Sequence, residues 1–451
     1  MTTYYIRKTG NDGNSGLSAG AAWATLGKAL GAAGIASGDT VYVGGGTYQE
    51  VVTPTLTSPT AETRIIGDVN GSKTADPGEV IWTAYLTNNK TAPSTAALLA
   101  LNGRSYLTFE DFALVGGSNA SGCVINASTT NSTHITFRRC VLIPGVRNTL
   151  VTYTGTAGIP SDWLMEGCVF IVPSGAISAV LVTLPTSGLG ADYNSNFRIT
   201  NSLLLGGTAG SLVQVTSTGA LANFGGGVSV YNCLFGFSSV ALRTMLTSLS
   251  TTFPCTLYNS VAFMLSTGCN AAVAGQIVED YNLFYVSLVS HTNTTLGTNS
   301  KLYSGTYTYA PLLDFSQSLL HRLAGRGFWS PMSGSPLLGY GAQVGGPSVD
   351  ILGVTRPAGG QSLLNSIGPY ELKDTAVQDT TIVEAGGGTL SITGPGVHDL
   401  TIPVKTELTT ITLRVRYDTT HGTTNKPQAQ LLYGGGCGVS DQTVTAVAGI
   451  D

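Results

Sequence analysis

Six stretches decide the fold when laid over one another: Phe109-Glu110-Asp111-Phe112-Ala113-Leu114, Phe137-Arg138-Arg139-Cys140-Val141-Leu142, Met165-Glu166-Gly167-Cys168-Val169-Phe170, Ile199-Thr200-Asn201-Ser202-Leu203-Leu204, Val230-Tyr231-Asn232-Cys233-Leu234-Phe235 and Leu257-Tyr258-Asn259-Ser260-Val261-Ala262. A seventh, Asp280-Tyr281-Asn282-Leu283-Phe284, fits with its Asn moved by one position. The anchors at 112, 140, 168, 202, 233, 260 and 282 lie 28, 28, 34, 31, 27 and 22 residues apart. A self-similar unit of roughly 20–50 residues is a solenoid period. Strand signals at every anchor make it a β-solenoid, and the expected fold is an all-β, right-handed parallel β-helix.

The columns carry the physics. The Phe109 column is apolar, and so is the column two residues earlier: Leu107, Ile135, Trp163, Phe197, Val228 and Cys255. Alternation with a period of two puts both on one face of a strand. Asn201, Asn232 and Asn259 then repeat where a sharp turn needs the left-handed conformation, which Asn tolerates. Their stacked amides are expected to bond into a ladder. Phe112, Cys140, Cys168, Ser202, Cys233 and Ser260 are mostly small and suit the inside of a corner. The cysteines therefore read as packing residues. Seven cysteines with no Cys-x-x-Cys pair offer neither a zinc site nor an obvious disulfide set.

Composition agrees. Charged residues make up 10% of the 451 and apolar ones 42%, with 59 glycines. Disorder calls for high charge and few apolar residues, and long helices call for Ala, Leu, Glu and Lys. The net charge of −4 comes with no basic run, which argues against a nucleic-acid partner. No apolar run approaches the ~20 residues of a membrane span. No signal peptide is visible at Met1-Thr2-Thr3. A secreted enzyme would ordinarily carry one, whereas a virion protein released by lysis needs none.

The N-terminus resembles the opening of secreted β-helix proteins of the pectate-lyase-like superfamily. The matching residues are Tyr4-Tyr5-Ile6, Thr9-Gly10-Asn11-Asp12-Gly13, Trp23-Ala24-Thr25-Leu26 and Gly38-Asp39-Thr40-Val41-Tyr42-Val43-Gly44-Gly45-Gly46-Thr47-Tyr48. The resemblance implies a capping helix around residues 22–33, within a cap spanning about residues 1–40, and a first coil from Val41. Ser335-Pro336-Leu337, Asp350-Ile351-Leu352-Gly353 with Arg356-Pro357, and Ile367-Gly368-Pro369-Tyr370-Glu371 resemble the terminal coil of bacterial members. It covers roughly residues 1–372 and is specific for fold, because the superfamily holds lyases, glycosidases, adhesins and phage tailspikes alike. Residues 373–451 read as a separate, β-sandwich-like module, incomplete as a closed sandwich, with short strands at Leu390-Ser391-Ile392, 400–404 and 411–417.

Catalytic chemistry is sparse. A β-helix lyase uses a Lys or Arg base beside a calcium-binding carboxylate cluster, yet no lysine occurs between Lys90 and Lys301. A β-helix glycosidase needs carboxylates facing one cleft, ~6.5–9.5 Å apart in inverting enzymes. Glu110, Asp111 and Glu166 are the candidates near one another, with Arg138, Arg139 or Arg198 as an Arg base. The outward position reads Glu110, Arg138, Glu166 in successive coils, so Arg138 is expected between two carboxylates and Arg139 beside Asp111. That pattern is a surface charge ladder first, a catalytic or ligand-binding cluster second. His134 reads as a turn residue at a coil corner; His291, His321, His398 and His421 show no ligand spacing.

No cofactor is required by this reading, and calcium is the one candidate ion. Asp68, Asn70 and Ser72 copy the first three oxygen positions of an EF-hand loop, with Glu79 at the twelfth and Asp76 between. Lys73 stands where that loop requires Gly, and a plain polar turn is the competing reading.

One further column is unexpected. Ala113, Val141, Val169, Leu203, Leu234, Val261 and Leu283 recur just after the corner and point away from the core. An outward apolar stripe of this length marks an interface, which implies a homo-oligomer, a trimer by resemblance to tailspikes, or a larger assembly. The alternatives are cover by long coil loops or by the C-terminal module, and a corner that shifts the in/out alternation by one. The expected function is therefore a structural or adhesive β-helix of a virion or cell surface, a spike, fibre or decoration protein binding a polysaccharide or a partner. The alternative is a secreted polysaccharide-degrading enzyme, lyase or glycosidase.

Overall fold

In the computed structural model of the chain, the described residues are 1–85, 97–116, 124–127, 132–143, 151–154, 161–172, 178–184, 196–206, 211–217, 228–236, 244–248, 254–303, 341–342, 346–356, 366–370, 428–431 and 442–445. The chain folds as two compact units, Met1–Lys373 and Asp374–Asp451. In the second, Gln428–Leu431 pairs antiparallel with Gln442–Thr445. The strands expected at 390–392, 400–404 and 411–417 lie outside the described residues.

The first unit is a right-handed parallel β-helix. One face is a ten-stranded parallel sheet that runs from Thr3–Ile6 through Leu107–Glu110 and Ile135–Arg138 to Ile277–Asp280. A two-residue corner leads from each of its repeating strands into a sixteen-stranded sheet, as from Leu107–Glu110 into Ala113–Val115. That second sheet is two parallel stacks joined by the long strand Val261–Ala271. Chain alternation fills the interior. Val41, Ile65, Phe109, Phe137, Met165, Ile199, Val230 and Leu257 are partners in register and fully buried. Phe109 and Phe137 stack with centroids 5.2 Å apart, as do Trp163 and Phe197 at 5.6 Å.

The N-terminal end departs from expectation. Thr3–Ile6 is already a strand of the ten-stranded sheet, paired with Thr40–Val43. Helix over 22–33 shrinks to one turn, Leu26–Ala29, capped by the Thr25 side chain. Glu50 accepts hydrogen bonds from Leu26 N and Gly27 N at that turn, and glycines at 27, 31 and 34 interrupt further helix.

The corner is where residue types matter most. Asp111, Arg139, Gly167, Asn201, Asn232, Asn259 and Tyr281 all take positive φ, between 49° and 62°. Inside the corner, Cys140 Sγ, Cys168 Sγ and Cys233 Sγ each donate to a carbonyl of the preceding coil, at 3.5, 3.4 and 3.6 Å. These three, with Cys255 and Cys269, are buried, and burial pushes the Cys233 thiol up to about 12. In the seventh coil the turn passes to Tyr281 and Asn282 drops into the small-residue column. There it accepts from Ser260 N and donates to Leu257 O, both at 2.8 Å.

The asparagines do not bond to one another. Asn201 Nδ2 donates to Val349 O (2.8 Å), Asn232 Nδ2 to Ser366 O (3.5 Å) and Asn259 Nδ2 to Ala342 O (2.8 Å). Ala342 N returns a bond to Asn259 Oδ1 at 2.7 Å. Of the residues resembling a terminal coil, 335–337, 357 and 371 lie outside the described residues; the described ones, 350–353, 356 and 367–370, join neither large sheet. With Ala342 and residues 346–349 they form a clasp on the outer side of the corner, held at Ala342, Val349, Arg356, Ser366 and Gly368. The Asp350 carboxylate accepts from Leu352 N and Val354 N at the turn. Arg356 is 7% exposed and donates to Asn201 Oδ1, Ser366 O and Gly368 O.

The clasp also explains the outward apolar stripe. Val141, Val169, Leu203, Leu234, Val261 and Leu283 do point out of the main core. They form a second buried cluster with Leu205, Phe263, Tyr285 and the clasp residues Ile351, Ile367 and Tyr370. All six are at most 1% exposed within the chain. The exposure that implied an interface is absent, because the chain covers its own stripe.

Substitution of Asn259 tests the clasp. Asn259→Ala removes two buried hydrogen bonds and the polar side chain that lets Asn tolerate positive φ, an expected cost of about 2–4 kcal/mol in urea unfolding. Asn259→Gly keeps the turn and should lose only the hydrogen-bond part. Hydrogen exchange should speed up at Ala342 in both.

Candidate functional site

Outward positions of the ten-stranded sheet build the site. Ile66, Glu110, Arg138, Glu166, Thr200, Tyr231, Tyr258 and Asp280 are successive partners in register. Glu110, Arg138 and Glu166 line an open cavity of about 720 Å³ together with Arg64, Asp111, Arg139, Gly167, Asn201 and clasp residues 349–353. The floor is the sheet and its corner; the clasp turn is the facing wall.

The side chains are paired in detail. Glu110 Oε1 accepts from Arg64 Nε (3.0 Å), Arg64 Nη2 (2.7 Å) and Arg138 Nη1 (3.4 Å), and Oε2 from Arg139 Nη2 (2.9 Å). Arg138 Nε reaches on to Glu166 Oε2 at 2.8 Å. Arg139 grips both oxygens of Asp111 at 2.7 Å. The expected ladder is present, with Arg138 between two carboxylates. Arg198 lies on the outer face but outside the cavity lining.

Charge placement follows. Burial alone would raise the Glu110 carboxyl, but the Arg64 hydrogen bonds and the charges of Arg64, Arg139 and Arg138 outweigh it and hold it below the usual range. Hydrogen bonding to Asp111 holds the Arg139 guanidinium protonated more firmly than usual, against its burial. Glu110 does the same for Arg64. A carboxylate so fully occupied is a poor proton donor at neutral pH, and such arginines are poor bases.

Arg64 and the clasp were not expected here. Arg64 lies on Thr63–Gly67, whose anchor is 44 residues from the next (Ile65 to Phe109), outside the regular period. The clasp residues come from positions more than 180 residues beyond Glu166, and local patterning cannot place them.

The calcium candidates are spent on other partners. Asp68 accepts from Lys73 N, Thr74 N, Thr74 Oγ1 and Ser72 Oγ at 2.6–3.4 Å. Asn70 Oδ1 accepts from Ser72 N, and Arg7 holds both oxygens of Asp76 at 2.6 and 2.7 Å. Glu79 contributes its backbone carbonyl to Gly46 N. Among the described residues no group of three or more His, Cys, Asp or Glu is arranged to hold a metal. These contacts are the hydrogen bonds of a polar turn. His134 is a turn residue, with φ of 54°, stacked on Tyr106 at 4.1 Å and 3.3 Å from Asp162. His291 pairs with Glu279; His321, His398 and His421 lie outside the described residues.

No protein-family model and no curated protein matches the chain. Solved structures with a similar fold include XylC in complex with xylose, at TM-score 0.44 and 10% identity over 67% of this chain and 70% of that one. Pectate lyase Pel9A aligns at TM-score 0.40 and 13% identity over 82% and 96% of the two chains. A rhamnogalacturonan lyase aligns at TM-score 0.40 and 13% identity over 67% and 88%. These are likenesses of fold.

Two substitutions separate the roles in the ladder. Glu110→Gln leaves three guanidiniums around a neutral amide and should destabilise by about 3–5 kcal/mol. Glu166→Gln, on the exposed side of Arg138, should cost at most about 1 kcal/mol. Both are read as shifts of the urea midpoint.

Proposed function

We propose that this chain is a glycan-binding β-helix, and that the groove under the clasp holds an acidic polysaccharide without cleaving it. One observation carries the reading: the lining holds three arginines and four carboxylates, Asp350 of the clasp turn among them at 4% exposure, and the cations are the more exposed. Arg64, Arg138 and Arg139 side chains are 41%, 31% and 42% exposed, whereas Glu110, Asp111 and Glu166 are 3%, 23% and 24%. The anions are spent inward, fixing the arginines, and the cations face the opening. Among the described residues, Arg64 Nη1, Arg138 Nη2 and Arg139 Nη1 have no hydrogen-bond partner. Planar guanidinium edges with free N–H groups match carboxylate or sulfate oxygens bidentately. Their own rotamers are locked by carboxylates, so little ordering cost remains on binding.

The lowered Glu110 and the raised Arg64 and Arg139 support binding over turnover. A ligand of this class coats cells, which fits a spike, fibre or decoration protein of a virion or cell-surface assembly. The competing reading, a depolymerising lyase or glycosidase, needs a carboxyl poised to give a proton or an arginine ready to take one.

Affinity electrophoresis with polygalacturonate and with neutral dextran tests this. Retention by the acidic polymer alone is expected, weakened by salt and at least tenfold weaker in Arg138→Gln. Equal retention by dextran, or release of oligosaccharides from the acidic polymer, would overturn it.

A further inference from the structure

The outward row does not stop at the cavity. Beyond Glu166 it passes Thr200, buried at 5% exposure, and reaches Tyr231 and Tyr258, partners in register whose side chains are half-buried. Their rings lie 6.1 Å apart at 18° to one another. The clasp follows the same rungs. Val349 meets Asn201 and Ala342 meets Asn259, each next to a row residue. Between them Gly346 passes so close to Asn232 that an added Cβ would lie 2.6 Å from Oδ1 and 3.8 Å from Tyr231 Cβ. Described clasp residues therefore border the row at the Thr200, Tyr231 and Tyr258 rungs, and Glu110 to Tyr258 is five strand spacings or roughly 24 Å.

Chemistry changes along that length. The Glu110 end presents three guanidiniums. At the Tyr231–Tyr258 end the neighbouring outward residues on the same strands are Ser229 and Thr256, both uncharged. Arg198 stands one coil away, beside Thr200. The row closes on Asp280, whose carboxylate accepts from Tyr281 N, Asn299 N and Asn299 Nδ2. An acidic sugar over Tyr258 would meet Asp280 on the next rung, while Arg198 flanks only the Tyr231 side through its partner Ser229. A tyrosine offers instead an apolar ring body and a wet hydroxyl, the pairing that suits an uncharged pyranose.

We propose that Tyr231 and Tyr258 form a second contact zone of the same groove, so that its ligand is an acidic–neutral heteroglycan lying along the helix axis. This rests on the glycan-binding reading above and adds to it the order of sugar types: acidic units on the arginines, uncharged units on the tyrosines.

Titration with hyaluronan oligosaccharides, in which an acidic sugar alternates with an uncharged one, and with polygalacturonate oligosaccharides as the homopolymer arm, separates the two claims. Wild type should bind hyaluronan more tightly. The double variant Tyr231→Ala/Tyr258→Ala should lose about tenfold affinity for hyaluronan, the scale of a lost aromatic contact, with polygalacturonate affinity unchanged. Should that variant unfold, Tyr231→Phe/Tyr258→Phe keeps the rings and is expected to keep most hyaluronan affinity, whereas Tyr231→Leu/Tyr258→Leu should not. If tyrosine variants bind both ligands like wild type, or weaken for both equally while Arg138→Gln still abolishes polygalacturonate binding, the second zone is wrong and the groove stands. If wild type binds neither, both proposals fall.

Discussion

Everything distinctive in this β-helix depends on the left-handed corner between its two principal sheets. A chain that turns sharply there needs one residue per coil at positive φ, and an L side chain pays about 1–2 kcal/mol for that conformation unless it is Gly, Asn or Asp. The N-terminal coils use Asp111, Arg139 and Gly167; the next three use asparagine. This single column splits the lateral face into two functions. Where its residues are charged, they bond to one another and to Glu110, and a groove results. Where they are asparagines, their amides face outward and hold the clasp. Arg139 is the costly choice at φ of 54°, and its bidentate grip on Asp111 is the compensation visible in the structure.

The clasp links the halves. It lies on the asparagine rail, seals the apolar stripe, and its Asp350 turn then projects over the charged rungs as the groove wall. A groove built this way is hydrogen-bonded on both sides: parallel strands below, and clasp residues held by the buried Arg356 above. Glu110 shows why the charges are arranged as they are. A carboxylate at 3% exposure needs hydrogen-bonding cations, and three arginines supply them while each keeps an edge for the opening. The same contacts that make the buried anion tolerable pre-orient the cations.

Much of this was legible in the residues. The inward columns, small corner, turn positions and charge ladder are spaced by the coil period, and physics with a period shows in a sequence. Arg64 escaped because its coil is long and breaks that period. The asparagine row was located correctly but given the wrong partner, since stacked amides and clasp carbonyls ask for the same residue type. The apolar stripe was likewise placed correctly, yet what covers it comes from a segment 83 to 155 residues away in the hydrogen bonds that fix it. At Asp68, an oxygen-rich spacing serves a carboxylate that caps backbone N–H groups and one that binds calcium alike. Composition cannot tell the two apart.

A solenoid must also end, and the way this one ends follows from the same columns. Register places Glu279 directly after Leu257 in the inward column, where every earlier coil carries an apolar residue. Its carboxylate accepts from Asn282 Nδ2 (2.7 Å), Ser300 Oγ (2.6 Å), His291 Nε2 (3.1 Å) and Gly297 N. Burial would raise it, but these four donors outweigh burial and hold it below the ordinary range. The donors come from the ensuing corner, the opposite sheet and the returning loop, so one anion gathers the edge of the ten-stranded sheet and turns it away from further pairing. The sign is that of any depressed carboxyl: its contribution is complete above the unfolded value near 4.5 and drains away as pH falls through the lower folded value. The terminal coil should therefore open first in acid, with hydrogen exchange at Gly297 and Ser300 accelerating before that of the central strands. In Glu279→Gln this acid step should vanish, leaving an end that is weaker at neutral pH and insensitive to acid; an unchanged step would assign it to another group.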